Sequence, residues 1–264
     1  MAHRPVPVHY VSTLSALQAE AMAGPGRLPE VGCPSAAAPP ARGYSRSKWV
    51  AERYLAQARR HGATVTVLRL GEVLPSQESP HPNTRALTHL LLSAIHQLGV
   101  APDTPIRSDY TPVDYAAARV VAAVLDRAAW GRALHVFRPG SVDFAGVLTG
   151  AGAPVTRASP ASFLARLREA ADRTGHRDLA ALAALLPAPG GREEAALGRE
   201  LAALLTDNAS LYGRDECRRL EQRCALADTG LRGPVAAYRA YLAAAAPPPA
   251  GAGRTPARQL TGRP

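Results

Sequence analysis

The chain has 264 residues, 47% of them hydrophobic, and a formal net charge of +10, which is length enough for one large domain or two small ones with a real core. Its basic residues are scattered along the whole chain, with no zinc-finger spacing and no RNA-binding aromatic motif, so the charge argues for an acidic protein partner or an anionic substrate group and against nucleic acid. Three cysteines (Cys33, Cys217, Cys224) without metal-ligand spacing, no apolar signal core, and no run near the roughly 18 apolar residues of a membrane span predict a cytoplasmic protein with no metal site.

In chain order, "VPVHYVST" (Val6 to Thr13) is a short β-branched run that predicts a buried strand. Residues 23–43, dense in Pro and Gly, predict a loop. A helix is expected from Ser45 to His61, with Trp49, Val50, Leu55 and Ala56 on a rough stripe and Gly62 closing it. "ATVTVLRL" (Ala63 to Leu70) is a second strand, and its near-continuous apolar character predicts a parallel sheet covered on both faces. A Pro- and Ser-rich loop (75–83) precedes a helix over Thr84 to Leu98. A short extended piece then leads into a helix with Asp114 as N-cap and Val120, Val121, Val124 and Leu125 along one side. "ALHVFRP" (Ala133 to Pro139) is a third strand, completing an α/β alternation.

"VLTGAGAPVTRAS" (Val147 to Ser159) imitates a glycine-rich phosphate loop, but the third glycine is missing and Pro154 stands where the helix should begin, so a plain turn is expected. From Ser159 to Ala246 the pattern is mostly helical, and residues 247–264 are expected to be disordered. The expected organisation is a Rossmann-like sheet over 1–140, a helical region over 141–246 and the tail.

One detail carries chemistry. Lys48 is the only lysine among 31 basic residues, and it stands four residues after Tyr44 in "GYSRSKWVAERYL". On a helix that spacing puts both side chains on one face, one turn apart. A phenol is a weak acid at neutral pH, and a fixed ammonium nearby stabilises its phenolate, so the pair can deliver a proton to a developing oxyanion. A compact ammonium on a flexible stem suits this role, and the forked guanidinium of arginine does not replace it simply. With eight tyrosines in the chain, a lone lysine falls four after one of them by chance in roughly 3% of placements, so the spacing alone is suggestive.

Taken together, "HYVSTLSAL", "GYSRSKWVAERYL", "VTVLRLGEV", "LGVAPD" and "DYTPVDYAAARVV" resemble, in that order, the extended short-chain dehydrogenase/reductases, and most of all their thioester reductase branch. That branch comprises the terminal reductase domains of nonribosomal peptide and polyketide synthases and of carboxylic acid reductases. The resemblance runs from about Val6 to Leu242. It implies an α/β fold, the C-terminal part of a Rossmann-like doubly wound parallel sheet followed by a mostly helical substrate-binding region. It implies NADP(H) as cofactor and, as partner, an acyl or peptidyl carrier protein bearing a phosphopantetheine thioester.

By the same resemblance, Tyr44 is the proton donor. Lys48 tunes it and holds the nicotinamide ribose, and Thr13, with Ser12 as fallback, bonds the substrate carbonyl oxygen. Leu70, Gly71 and Val73 line the nicotinamide. Leu70 is a departure, because the family usually has proline there. A larger departure is at the front: the strand, glycine-rich turn and helix that hold the pyrophosphate in this family do not precede Val6, so an upstream domain or a partner chain is expected to supply them. A sheet lacking those strands is expected to expose an apolar edge. Two other readings stay open: another extended short-chain enzyme (a nucleotide-sugar epimerase or dehydratase, or a ketoreductase), and a non-catalytic remnant that binds a carrier protein.

Overall fold

The computed structural model of the chain describes residues 6–245 apart from 77, 144–147, 149–154, 187, 189–190, 192, 204–207, 229 and 231. The tail, and most of the turn expected over Val147 to Ser159, lie outside the described residues. In chain order the strands are β1 (Val8–Thr13), β2 (Val65–Leu70), β3 (Val73–Leu74), β4 (Val100–Pro102), β5 (Arg107–Ser108), β6 (Thr111–Pro112), β7 (Ala133–Val136), β8 (Val142–Asp143) and β9 (Thr156–Ala158). The helices are α1 (Gln18–Ala23), α2 (Gly43–Arg60), α3 (Leu87–Leu98), α4 (Val113–Leu125), α5 (Pro160–Thr174), α6 (Arg177–Leu185), α7 (Glu194–Ala202), α8 (Asn208–Leu211), α9 (Asp215–Arg223) and α10 (Arg232–Ala245).

The main sheet is parallel, in the order β1-β2-β7, with Val8 opposite Val65, Thr13 opposite Leu70, and Leu70 opposite Val136. β2 is central, and five of its six residues are buried, as a strand covered on both faces requires. Alternation assigns the faces. Val65 and Val67 pack with Ala133, Tyr10 and Leu55 of α2 on one side. Leu68, Leu134 and Val136 pack with Ala116 and Ala123 of α4 and Cys217 and Leu220 of α9 on the other. A separate helical core gathers Leu91, Leu92, Phe163, Leu164, Leu167, Leu182 and Tyr238 from α3, α5, α6 and α10. β4 pairs with β9 in parallel and β5 with β8 antiparallel.

Several boundaries differ from the sequence reading, each for a local reason. Asp114 is not an N-cap: α4 starts at Val113 with Pro112 at the cap position, and Asp114 lies in the first helical turn, where a carboxylate complements the helix dipole. α3 starts at Leu87 rather than Thr84 because Asn83 Oδ1 takes the Arg85 N–H at 3.1 Å and the Asn83 carbonyl takes the Ala86 N–H at 2.9 Å, a local turn that competes with helix. α2 begins at Gly43 and ends as expected before Gly62, whose φ of +89° suits glycine.

The loop over 23–43 is anchored from far away. Leu28 and Tyr212 form a bridge, with Leu28 N–H donating to the Leu211 carbonyl at 2.8 Å and Gly213 N–H to the Leu28 carbonyl at 2.9 Å. Glu30 accepts the N–H groups of His135 (2.8 Å), Cys217 (3.1 Å) and Glu216. It thereby caps α9 from outside, satisfying donors that a helix start leaves open. Tyr212 packs with Leu14, Leu17, Ala21 and Phe137, so the segment carrying α8 and α9 closes over the ends of the main-sheet strands.

Candidate active site

β1 delivers Ser12 and Thr13 to its C-terminal end, and the chain then tightens into a 3-10 turn over Leu14–Leu17. Thr13 caps that turn, its Oγ1 accepting the Ser15 N–H at 3.3 Å. Ser45, in the first turn of α2, donates its hydroxyl to Ser15 Oγ at 3.0 Å, so the start of α2 is tied to the end of β1. Lys48 Nζ donates to the Val11 carbonyl at 3.1 Å and lies 5.0 Å from the centre of the Tyr10 ring. Tyr44 is 65% exposed, one turn before Lys48 on the same helix.

Ser12 has a different task. It is buried, and its hydroxyl donates to Glu52 Oε1 at 2.6 Å. Glu52 holds Arg69 in a fully buried pair, with Nη2 to Oε2 at 2.7 Å and Nε bridging both carboxylate oxygens at 3.0 and 3.1 Å. Arg69 Nη1 lies 3.2 Å from His135 Nε2, and His135 Nδ1 lies 2.7 Å from the Gly213 carbonyl. Burial and the Arg69 charge push His135 down to about 3, so the ring is neutral. A carbonyl can only accept, so Nδ1 carries the proton and Nε2 accepts from Arg69. This chain of bonds joins β1, α2, β2, β7 and Gly213, two residues after α8.

Ser12, Thr13, Tyr44, Lys48, Leu70, Gly71 and Val73, the seven residues singled out from sequence, all line one cavity of about 820 Å³. Gly71 is required for its shape: a Cβ there would fall on the Asp109 carboxylate and within 2.7 Å of Phe137 Cβ. Leu70, Gly71 and Val73 line the same space as Lys48. Among the described residues no glycine-rich turn stands ready for a pyrophosphate.

Other residues at the cavity carry no local sequence signal. Arg42 and Arg85 line it as exposed cations, without an ion pair among the described residues. Glu72, next to Gly71, lines it too; its Oε1 accepts the Thr88 hydroxyl, and its backbone N–H donates to Asp109 Oδ2 at 3.2 Å. Asp109 is fully buried and also accepts from Thr111 and Asn208. Burial raises Glu72 to about 7, with the Thr88 hydrogen bond opposing and the Asp109 charge adding. Burial likewise raises Asp109 to about 6, against the hydrogen bonds from Thr111 and Asn208. Nothing adjacent in sequence reveals these environments, because Thr88, Asp109 and Asn208 arrive from separate elements.

Residues 1–120 match the model of a family of NAD-binding domains described as male sterility protein. The isonitrile lipopeptide synthase of Streptomyces coeruleorubidus is 40% identical over 125 residues, which is 46% of this chain and 8% of that protein. The terminal R domain from the myxalamid PKS-NRPS biosynthetic pathway superposes with a TM-score of 0.69 at 22% identity, covering 90% of this chain and 58% of that one. A thiolation-reductase di-domain from an archaeal non-ribosomal peptide synthetase superposes with a TM-score of 0.60 at 13% identity, over 88% of this chain and 47% of that one. The chain thus spans only part of each relative's length. Residues 1–120, fewer than half of the chain, match that family model, and the chain is similar in fold to the terminal R domain of the myxalamid pathway.

Proposed function

We propose that this chain carries the active-site part of a thioester reductase that converts a carrier-bound acyl thioester to an aldehyde. The observation that supports this most is the convergence of Tyr44, Lys48, Thr13 and the Gly71 wall on one cavity. Leu70, Gly71 and Val73 would hold the nicotinamide of NADPH, which when bound would supply the hydride that reduces the thioester carbonyl. Thr13 donates a hydrogen bond to the carbonyl oxygen as negative charge builds there. Tyr44 gives its phenolic proton to that oxygen, and Lys48 steadies the phenolate that remains. The resulting hemithioacetal breaks its C–S bond, leaving aldehyde and free thiol; a second hydride and proton give the alcohol.

The substrate arm reaches the cavity past Arg42 and Arg85, two cations suited to a phosphopantetheine phosphate, and the net charge of +10 suits an acidic carrier protein. The likeness to a di-domain that pairs a thiolation domain with a reductase supports a carrier partner. In this proposal a further strand-and-turn unit that binds the pyrophosphate pairs along β1. The exposed Val8 (44%) and Val11 (42%) on β1, which among the described residues pairs only with β2, support that arrangement.

The test joins the chain to a nucleotide-binding half and follows NADPH consumption and aldehyde release from an acyl-pantetheine thioester. Tyr44→Phe is expected to lower kcat by roughly 10²- to 10⁴-fold, the usual contribution of a positioned proton donor, with substrate binding retained. Turnover of nucleotide sugars instead of thioesters would overturn the reading in favour of another extended short-chain enzyme. Loss of NADPH binding with carrier binding retained would mark a non-catalytic remnant.

A further inference from the structure

Glu72 has no part in the scheme above, yet it lines the same cavity as Tyr44 and Lys48. Its position is fixed at both ends: the backbone N–H is held by Asp109 and Oε1 by the Thr88 hydroxyl. Oε2 has no hydrogen-bond partner among the described residues, and no described cation pairs with the carboxylate. The neighbouring wall is apolar, with Leu70, Val73, Leu87 and Leu185.

A hydrocarbon chain that fills such a cavity strips water from Glu72 and returns nothing. A chain with a hydroxyl or ammonium at the right depth replaces the lost water with a hydrogen bond. Leaving a buried polar group unpaired costs more than making the bond gains, so the carboxyl acts mainly by disfavouring the plain chain. The positive residues do not compete for the role: Lys48 is engaged with the Val11 carbonyl, and Arg42 and Arg85 are exposed at the rim.

We infer that Glu72 is a specificity-determining residue, and that the acyl group this cavity prefers carries a hydrogen-bond donor, hydroxyl or amine, that meets Glu72 Oε2. This rests on the thioester reductase reading and narrows its substrate class.

The test measures binding by calorimetry to the full chain, using acyl-pantetheine amides, which cannot be reduced as thioesters. One set has an unsubstituted chain; the others carry a hydroxyl or an amine moved along it. At pH 8, where the Glu72 carboxyl is mostly ionised, wild type is expected to bind the best donor-bearing chain roughly 10- to 100-fold more tightly than the plain one, as a hydrogen bond to a charged group gives. Glu72→Leu should remove that preference, mainly by improving the plain chain. Glu72→Gln, nearly isosteric, should keep preference for a hydroxyl and lose preference for an amine, which separates the two donor sources and guards against misfolding of the leucine variant. Equal affinities for plain and substituted chains in wild type, equal loss of both in Glu72→Leu, or an effect confined to NADPH binding would each overturn the inference while leaving the reductase reading standing. Failure of every amide, the plain one included, to bind wild type would overturn that reading and this inference with it.

Discussion

Lys48 points at the Val11 carbonyl and across the Tyr10 ring, so its ammonium is placed by β1 as well as by its own helix. A guanidinium is wider and planar, with its charge spread over a rigid fork, so it does not reproduce a compact ammonium placed at that carbonyl. Lys48→Arg should therefore lower kcat by about 10-fold or more with an intact fold, read as rate beside an unchanged melting curve. Glu72 offers a second residue-scale test, in stability. Its carboxyl is raised from 4.5 to about 7, so the folded state holds that proton more tightly than the unfolded chain. The contribution is greatest below pH 4.5 and is lost as pH rises through about 7. A shift of that size corresponds to at most ~3 kcal/mol. Glu72→Gln removes the titration, so the variant's stability relative to wild type should grow between pH 5 and 8, read by denaturant unfolding at each pH. The Tyr44–Lys48 pair was legible in the sequence because one helical turn is a local relation. Ser12 was legible only as a residue at the cavity, since its bond to Glu52 depends on how α2 docks on the sheet.

At the level of elements, α2 is held to the sheet by more than apolar contact. Glu52 and Arg69 form a pair that is 0% exposed on both sides, and Ser12 and His135 take bonding capacity that remains. Removing one partner leaves a buried charge, so Arg69→Met alone should cost about 3–5 kcal/mol in unfolding free energy. Arg69→Met with Glu52→Leu should recover much of the loss. Periodicity located β1, β2, β7, α2, α3 and α4 because strand and helix patterns are short-range. It missed β9 and its pairing with β4, since a three-residue strand next to a glycine-rich stretch has no period of its own. It missed the anchoring of the 23–43 loop for a different reason: Glu30 acts on His135 and Cys217, and no local pattern encodes a cap brought from so far along the chain.

For the whole molecule, the sheet has an open side. β1 carries Val8 and Val11 half-exposed and pairs, among the described residues, only with β2. An unpaired apolar edge is a template for another strand. The chain alone should therefore self-associate with rising concentration in size-exclusion chromatography, and Val8→Lys should suppress this. At the opposite end of the sequence, Tyr212, Cys217 and Leu220 sit in the same apolar clusters as Leu14, Leu68 and Phe137, and the Gly213 carbonyl closes the bonded chain that starts at Ser12. Expression in pieces must respect that closure. A protein stopped after residue 140 would keep Tyr44 and Lys48 yet lose the lid of its own strands.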